Sequence, residues 1–205
     1  YNLLPTILKL VINLPPPLLQ QIEFILCDNK INTVLSILEY RDDILTNEEL
    51  NKIRFHIIEI DPKCVLEQQE LVESNIEKNP LFKNVEIIEG DFKEMSLTIV
   101  SNNKFLYPDT CGDDNKFGGW PTYHEKLLEE NLDTNLIVGT YSVHDGYPCS
   151  NFGRRIKDKK TMVYEYGRSR IMKTYISINN EIFNRMLEIF MMKNKKKCYE
   201  FDNED

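Results

Sequence analysis

Apolar residues in this chain come in short runs separated by charged segments of helix length. Phe55 to Ile60 is a run of strand length, and Asp61-Pro62 after it reads as the N-cap and first position of a helix. From there to Lys78, Val65, Leu66, Val72 and Ile76 fall on one helical stripe, with Glu67, Gln68, Glu73 and Glu77 around the rest. Asn79-Pro80 stops that helix. Val85 to Ile88 is a second apolar run, closed by Glu89-Gly90-Asp91. Strand, helix and strand in so short a span make a β-α-β unit, which crosses over right-handedly in a parallel sheet. Ligand sites in such sheets lie beyond the carboxyl ends of the strands, where Glu59, Asp61 and Asp91 fall.

The flanking pattern extends the alternation. The opening reads as a short helix to about Asn13, a break at Pro15-Pro16-Pro17, then a helix from Pro17 to Cys27 with Leu18, Leu19, Ile22 and Ile25 inward. Thr33 to Glu39 reads as a strand, and Thr46-Asn-Glu-Glu49 as a capping box opening a short helix. After Asp91, Leu97–Val100 and Lys104–Tyr107 compete for the next strand; the Ser101-Asn102-Asn103 turn favours the second. Residues 108–121 form a loop rich in Gly and Asp. Thr122-Tyr-His-Glu125 repeats the capping pattern and predicts a helix to about Asn131, and Asn135 to Val143 predicts a strand. Thr161–Tyr166 and Ile171–Ile178 predict a hairpin, and Asn179–Met192 a last helix. The domain plan is a helical segment over 1–32, an α/β domain over 33–192 and a charged tail over 193–205.

Composition narrows the partners. A net charge of -8 argues against reliance on phosphate neutralisation, although Arg154, Arg155, Lys157, Lys159, Lys160, Arg168, Arg170 and Lys173 concentrate positive charge late in the chain. Five scattered cysteines with no CxxC pair suit a reducing compartment, so a cytoplasmic setting is expected. No apolar stretch is long enough to span a membrane. Targeting is not read from a chain that opens at Tyr1.

The order of elements resembles the class I S-adenosylmethionine-dependent methyltransferases, over roughly residues 33–180. Phe-His-Ile-Ile-Glu59-Ile-Asp61-Pro looks like that family's motif at the end of the second strand, where one carboxylate accepts both ribose hydroxyls. Gly90-Asp91 looks like the motif after the third strand. The resemblance implies a Rossmann-like, mostly parallel sheet with helices on both faces and a C-terminal antiparallel hairpin. It implies S-adenosylmethionine as cofactor, held by Glu39, Glu59, Asp61 and Asp91, with Asp109 and His144 facing the methyl acceptor. The chain departs from the family at the first strand: Val34 to Asp42, the matching stretch, contains no glycine. An altered cofactor pose, a first strand lying elsewhere, or a domain that no longer binds cofactor would each account for this.

Other constellations carry less. His124 and His144-Asp145 lack metal-ligand spacing and read as exposed turn residues, so no metal site is expected. Asp113-Asp114 fits the acid pair of a metal-dependent glycosyltransferase, or ordinary turn chemistry. A methyltransferase of undetermined substrate is the leading reading. Its rivals are a non-catalytic domain of the same fold serving a partner subunit, and that glycosyltransferase.

Overall fold

Ile22–Cys27 is a strand (β1), not the end of a helix. The computed structural model describes residues 8–9, 12–13, 21–39, 45–108, 119–130, 136–144, 162–166, 172–178 and 180. In β1 every residue from Ile22 to Leu26 is buried. A strand covered on both faces shows no apolar-polar alternation, and the three-residue spacing of Ile22 and Ile25 then imitates a helical period. The next segment errs the opposite way. Thr33 to Glu39, expected as a strand, lies in a helix (α1, Asn32–Glu39). Val34, Ile37 and Leu38 are buried at i, i+3 and i+4, while Asn32 and Ser36 are exposed.

The capping box at Thr46 forms as expected. The Thr46 hydroxyl accepts from the Glu49 amide at 3.2 Å, and the Glu49 carboxylate accepts from the Thr46 amide at 2.8 Å, opening α2 (Asn47–Leu50). That carboxylate also accepts from Lys9 Nζ at 2.6 Å, tying the N-terminal segment to α2. The central unit then follows as β2 (Ile53–Glu59), α3 (Pro62–Ile76) and β3 (Val85–Glu89). Asp61 caps α3 and Pro62 occupies its first turn. The inward stripe of α3 is Val65, Gln68 and Val72, whereas Leu66, expected inward, is exposed. An additional helix, α4 (Phe92–Thr98), takes part of the weaker strand candidate, and β4 runs from Asn103 to Pro108.

The chain divides into two compact units, residues 1–105 and 106–205. In the first, β1 pairs parallel with β2 and β2 with β3, with the start of β4 on the other side of β1. One face carries an aromatic cluster: the Phe24 ring packs edge-on against Phe55 at 5.5 Å and Phe105 at 4.9 Å. Successive strand residues point to opposite faces, so His56 projects from the other side of the sheet. It lies between Glu23 on β1, at 2.6 Å from Nε2, and Glu86 on β3, at 3.0 Å from Nδ1. With both carboxylates ionised, both bonds form at once only when each ring nitrogen carries a proton.

The second unit contains α5 (Gly119–Glu130), β5 (Leu136–His144), β6 (Met162–Tyr166) and β7 (Met172–Ile178). Helix α5 starts at Gly119 rather than at Thr122, because Pro121 is tolerated in a first turn where no amide partner is needed. β7 pairs antiparallel with both β5 and β6, and Ile178 stands opposite Val138 on one side and Met162 on the other. The segment 167–171, the expected helix 179–192 except for Asn180, and the tail lie outside the described residues.

Candidate functional site at the carboxyl ends of the parallel strands

The register that pairs Leu26 with Ile57 brings Asp28 level with Glu59, and Glu59 stands opposite Glu89. Three acidic residues therefore end three neighbouring parallel strands at one height. The resemblance had put Glu39 at the tip of the first strand. Glu39 instead ends α1, about 10 Å of helix from that helix's start. The acid that ends the first strand is Asp28, which the reading of 17–27 as a helix concealed. The first strand does lie earlier in the chain, at Ile22–Cys27, but its shift alone does not account for the missing glycines.

The true turn after β1 also lacks glycine, yet its backbone takes a glycine-type path. Lys30 has φ 54° and ψ 36°, and Ile31 has φ 53°. A β-branched residue rarely adopts that region, where its Cβ crowds the following carbonyl. The Asp28 carboxylate bridges the turn, accepting from the Thr33 amide at 2.8 Å and the Val34 amide at 3.2 Å. From α3, Gln68 Nε2 donates to the Asp28 carbonyl at 2.9 Å. The Ile31 side chain is fully buried.

At the tip of β2, Glu59 Oε1 accepts from the Asp61 amide at 3.0 Å, leaving Oε2 available among the described residues. Asp61 is exposed and spends Oδ1 on the Lys63 amide at 2.9 Å, as the cap of α3. Asp91 caps α4 in the same way, through the Lys93 amide at 2.8 Å. Between them Gly90, at φ 150°, donates its amide to the Glu59 carbonyl at 2.9 Å and draws the ends of β2 and β3 together. Ile60 is 67% exposed beside these carboxylates, an uncovered apolar surface next to hydrogen-bond acceptors.

The field here is negative. Burial, then Asp61, Glu59 and Glu67, pushes the Cys64 thiol above its ordinary range, so Cys64 is poorly suited to act as a thiolate nucleophile. The same potential favours a positively charged ligand.

Glu59, Asp61 and Asp91 thus share one strand-end region. His144 ends β5 in the second unit, opposite Met172. Asp109 and the Asp113-Asp114 pair lie outside the described residues. Among the described residues no group of three His, Cys, Asp or Glu side chains could hold a metal ion, and no helix is long and apolar enough to cross a membrane. Asp28 and Gln68 are the residues that sequence reasoning missed. The signal for Asp28 was present: an apolar run, Phe24 to Cys27, that ends in an acid before a polar turn and a helix.

The architecture matches that of the delta-N METTL16 MTase domain, with a TM-score of 0.51 over 85% of this chain and 80% of that one, at 15% identity. The likeness is one of fold, a Rossmann-like α/β sheet shared with that domain. Two further structures compare at lower scores. The human methyltransferase 10 domain containing protein gives 0.47 at 15% identity, covering 81% of this chain and 73% of that one. M. capricolum TrmK in complex with S-adenosyl-homocysteine gives 0.47 at 12% identity, covering 85% of this chain and 67% of that one. No family model and no curated protein matches the sequence.

Proposed function

We propose that this chain binds S-adenosylmethionine at the carboxyl ends of β1, β2 and β3 and is a methyltransferase. One observation carries the reading. The Glu59 carboxylate stands at the tip of a central parallel strand with an available oxygen, beside the exposed Ile60 and across from a turn of glycine-type backbone. A carboxylate oxygen can accept from ribose hydroxyls, and an apolar side chain beside it offers a surface for a purine ring. The carboxylates that raise the Cys64 thiol would likewise favour the positive charge of a sulfonium. The left-handed turn at Lys30-Ile31 does without glycine what a glycine turn does elsewhere: it brings main chain, rather than side chain, up to a ligand. When bound, the cofactor supplies an electrophilic methyl group. The residues of the chain hold it, with Glu59 on the ribose and Asp91 near the base.

The complexes of TrmK with S-adenosyl-homocysteine and of the Podospora anserina methyltransferase PaMTH1 with the same product place this ligand in proteins of related architecture. Isothermal titration of the chain with S-adenosylmethionine and S-adenosyl-homocysteine tests the reading. Micromolar binding is expected, weakened in Glu59→Gln by about 1–3 kcal/mol through the loss of a charged acceptor. No heat with either ligand refutes it and favours a domain that keeps the fold as a scaffold for a partner subunit.

A further inference from the structure

The turn after β1 poses a problem that its sequence does not solve. Two consecutive residues, neither of them glycine, hold left-handed backbone at Lys30 and Ile31. Such a conformation persists only where its surroundings enforce it. The enforcing contacts come from inside and outside the turn. Within it, the Asp28 carboxylate grips the amides of Thr33 and Val34, and buried Ile31 anchors the apex. From outside, Gln68 reaches from the middle of α3 to the Asp28 carbonyl.

Gln68 is unusual in what it leaves undone. The residue is 98% buried, and its Oε1 has no hydrogen-bond partner among the described residues. Exchanging the two ends of the amide would set oxygen against the Asp28 carbonyl oxygen, so the orientation with Nε2 on that carbonyl is the one the site can satisfy. A methionine at this position would fill similar volume and remove the unpaired Oε1, giving up only the bond to the Asp28 carbonyl. Stability alone therefore gives a poor reason for glutamine on the inward face of α3, flanked by Val65 and Val72.

We infer that Gln68 is a positioning residue: it holds the glycine-free turn 28–32 in the left-handed path that presents main chain to the cofactor. The role rests on the cofactor reading given above, but the hold on the turn is measurable without ligand. Gln68 touches no reacting atom; it acts through Asp28.

Gln68→Met on the full chain separates this role from packing. Amide hydrogen exchange on the ligand-free protein should lose protection at Thr33 and Val34, while the thermal midpoint stays within about 2 °C of the parent. S-adenosyl-homocysteine should then bind about tenfold or more weakly, since a slightly misplaced turn suffices for that loss. Adding Lys30→Gly in the Gln68→Met background should recover most of the affinity, because glycine adopts φ 54° without a Cβ to crowd the carbonyl. Unchanged exchange at Thr33 and Val34 overturns the hold. Faster exchange with unchanged affinity, or no recovery from Lys30→Gly, overturns the positioning role. A parent protein silent to S-adenosyl-homocysteine sinks the cofactor reading alone, and the exchange result still decides whether Gln68 holds the turn.

Discussion

Replacing Gly90 with alanine should destabilise the N-terminal unit in a way that can be divided into parts. The residue sits at φ 150°, which a side-chain-bearing residue adopts at a cost of about 1–3 kcal/mol. A Cβ placed there would also lie 2.5 Å from Met95 Cγ and 3.0 Å from its Sδ. Overpacking of that kind costs about 1–3 kcal/mol, and the flexible Met95 side chain brings it toward the lower end. Alanine recovers about 0.4–1 kcal/mol by restricting the unfolded chain. The net expectation for Gly90→Ala is a loss of about 2–3 kcal/mol, read from urea denaturation with an unchanged slope. Gly90→Ala with Met95→Ala should relieve the collision but not the backbone term, so its loss relative to Met95→Ala alone should be about 1–2 kcal/mol. The Gly90 amide also bonds the Glu59 carbonyl, so S-adenosyl-homocysteine affinity should fall with the single substitution. A loss under about 0.5 kcal/mol for Gly90→Ala would refute both the assigned backbone conformation and the reasoning built on it.

Two further perturbations test the framework around the strand ends. Burial alone would raise the Glu49 carboxyl, but the Lys9 ammonium, the Thr46 amide and the Asn13 side chain outweigh it and hold the group at about 2 against 4.5. A depressed acid stabilises above its unfolded value, so this contribution, about 2–3 kcal/mol, should be intact above pH 5 and lost as pH falls from about 4.5 to 2. Lys9→Met should remove much of that acid-side slope in pH-dependent denaturation, and an unaltered slope would sink the assignment. On the far face, His56→Leu leaves the buried Glu23 carboxylate without its partner and should cost about 3–5 kcal/mol, whereas His56→Leu with Glu23→Leu should recover much of the loss. A double variant no better than the single one would argue that the pair does not act as a unit.

Local signals in the sequence were strong where a side chain announces its own bond. The Thr46 capping box, the Asp61-Pro62 helix start and the Gly90-Asp91 junction all lie where their chemistry places them. Segments governed by burial misled instead. Ile22 to Cys27 is apolar but for Glu23 because both faces are covered, and Val34 to Leu38 satisfies period two and period 3.6 almost equally well over so few residues. Swapping those two elements moved the first strand-end acid from Asp28 to Glu39. Gln68 was out of reach for another reason: a glutamine among glutamates reads as surface, and only the tertiary meeting of α3 with the β1 turn buries it. Glu59, Asp61 and Asp91 were readable because a strand-end acid also serves the helix that follows.

The hydrogen-bonded row of Glu23, His56 and Glu86 also limits how these strands can align. Side chains alternate, so sliding β2 by one residue against β1 would carry the imidazole to the side now held by Phe24 and Phe105 and turn Phe55 toward the carboxylates. An all-apolar trio of parallel strands would tolerate such misalignment far better. One imidazole held between two carboxylates thus disfavours a slipped register, and it keeps the tips of β1, β2 and β3 flush with one another.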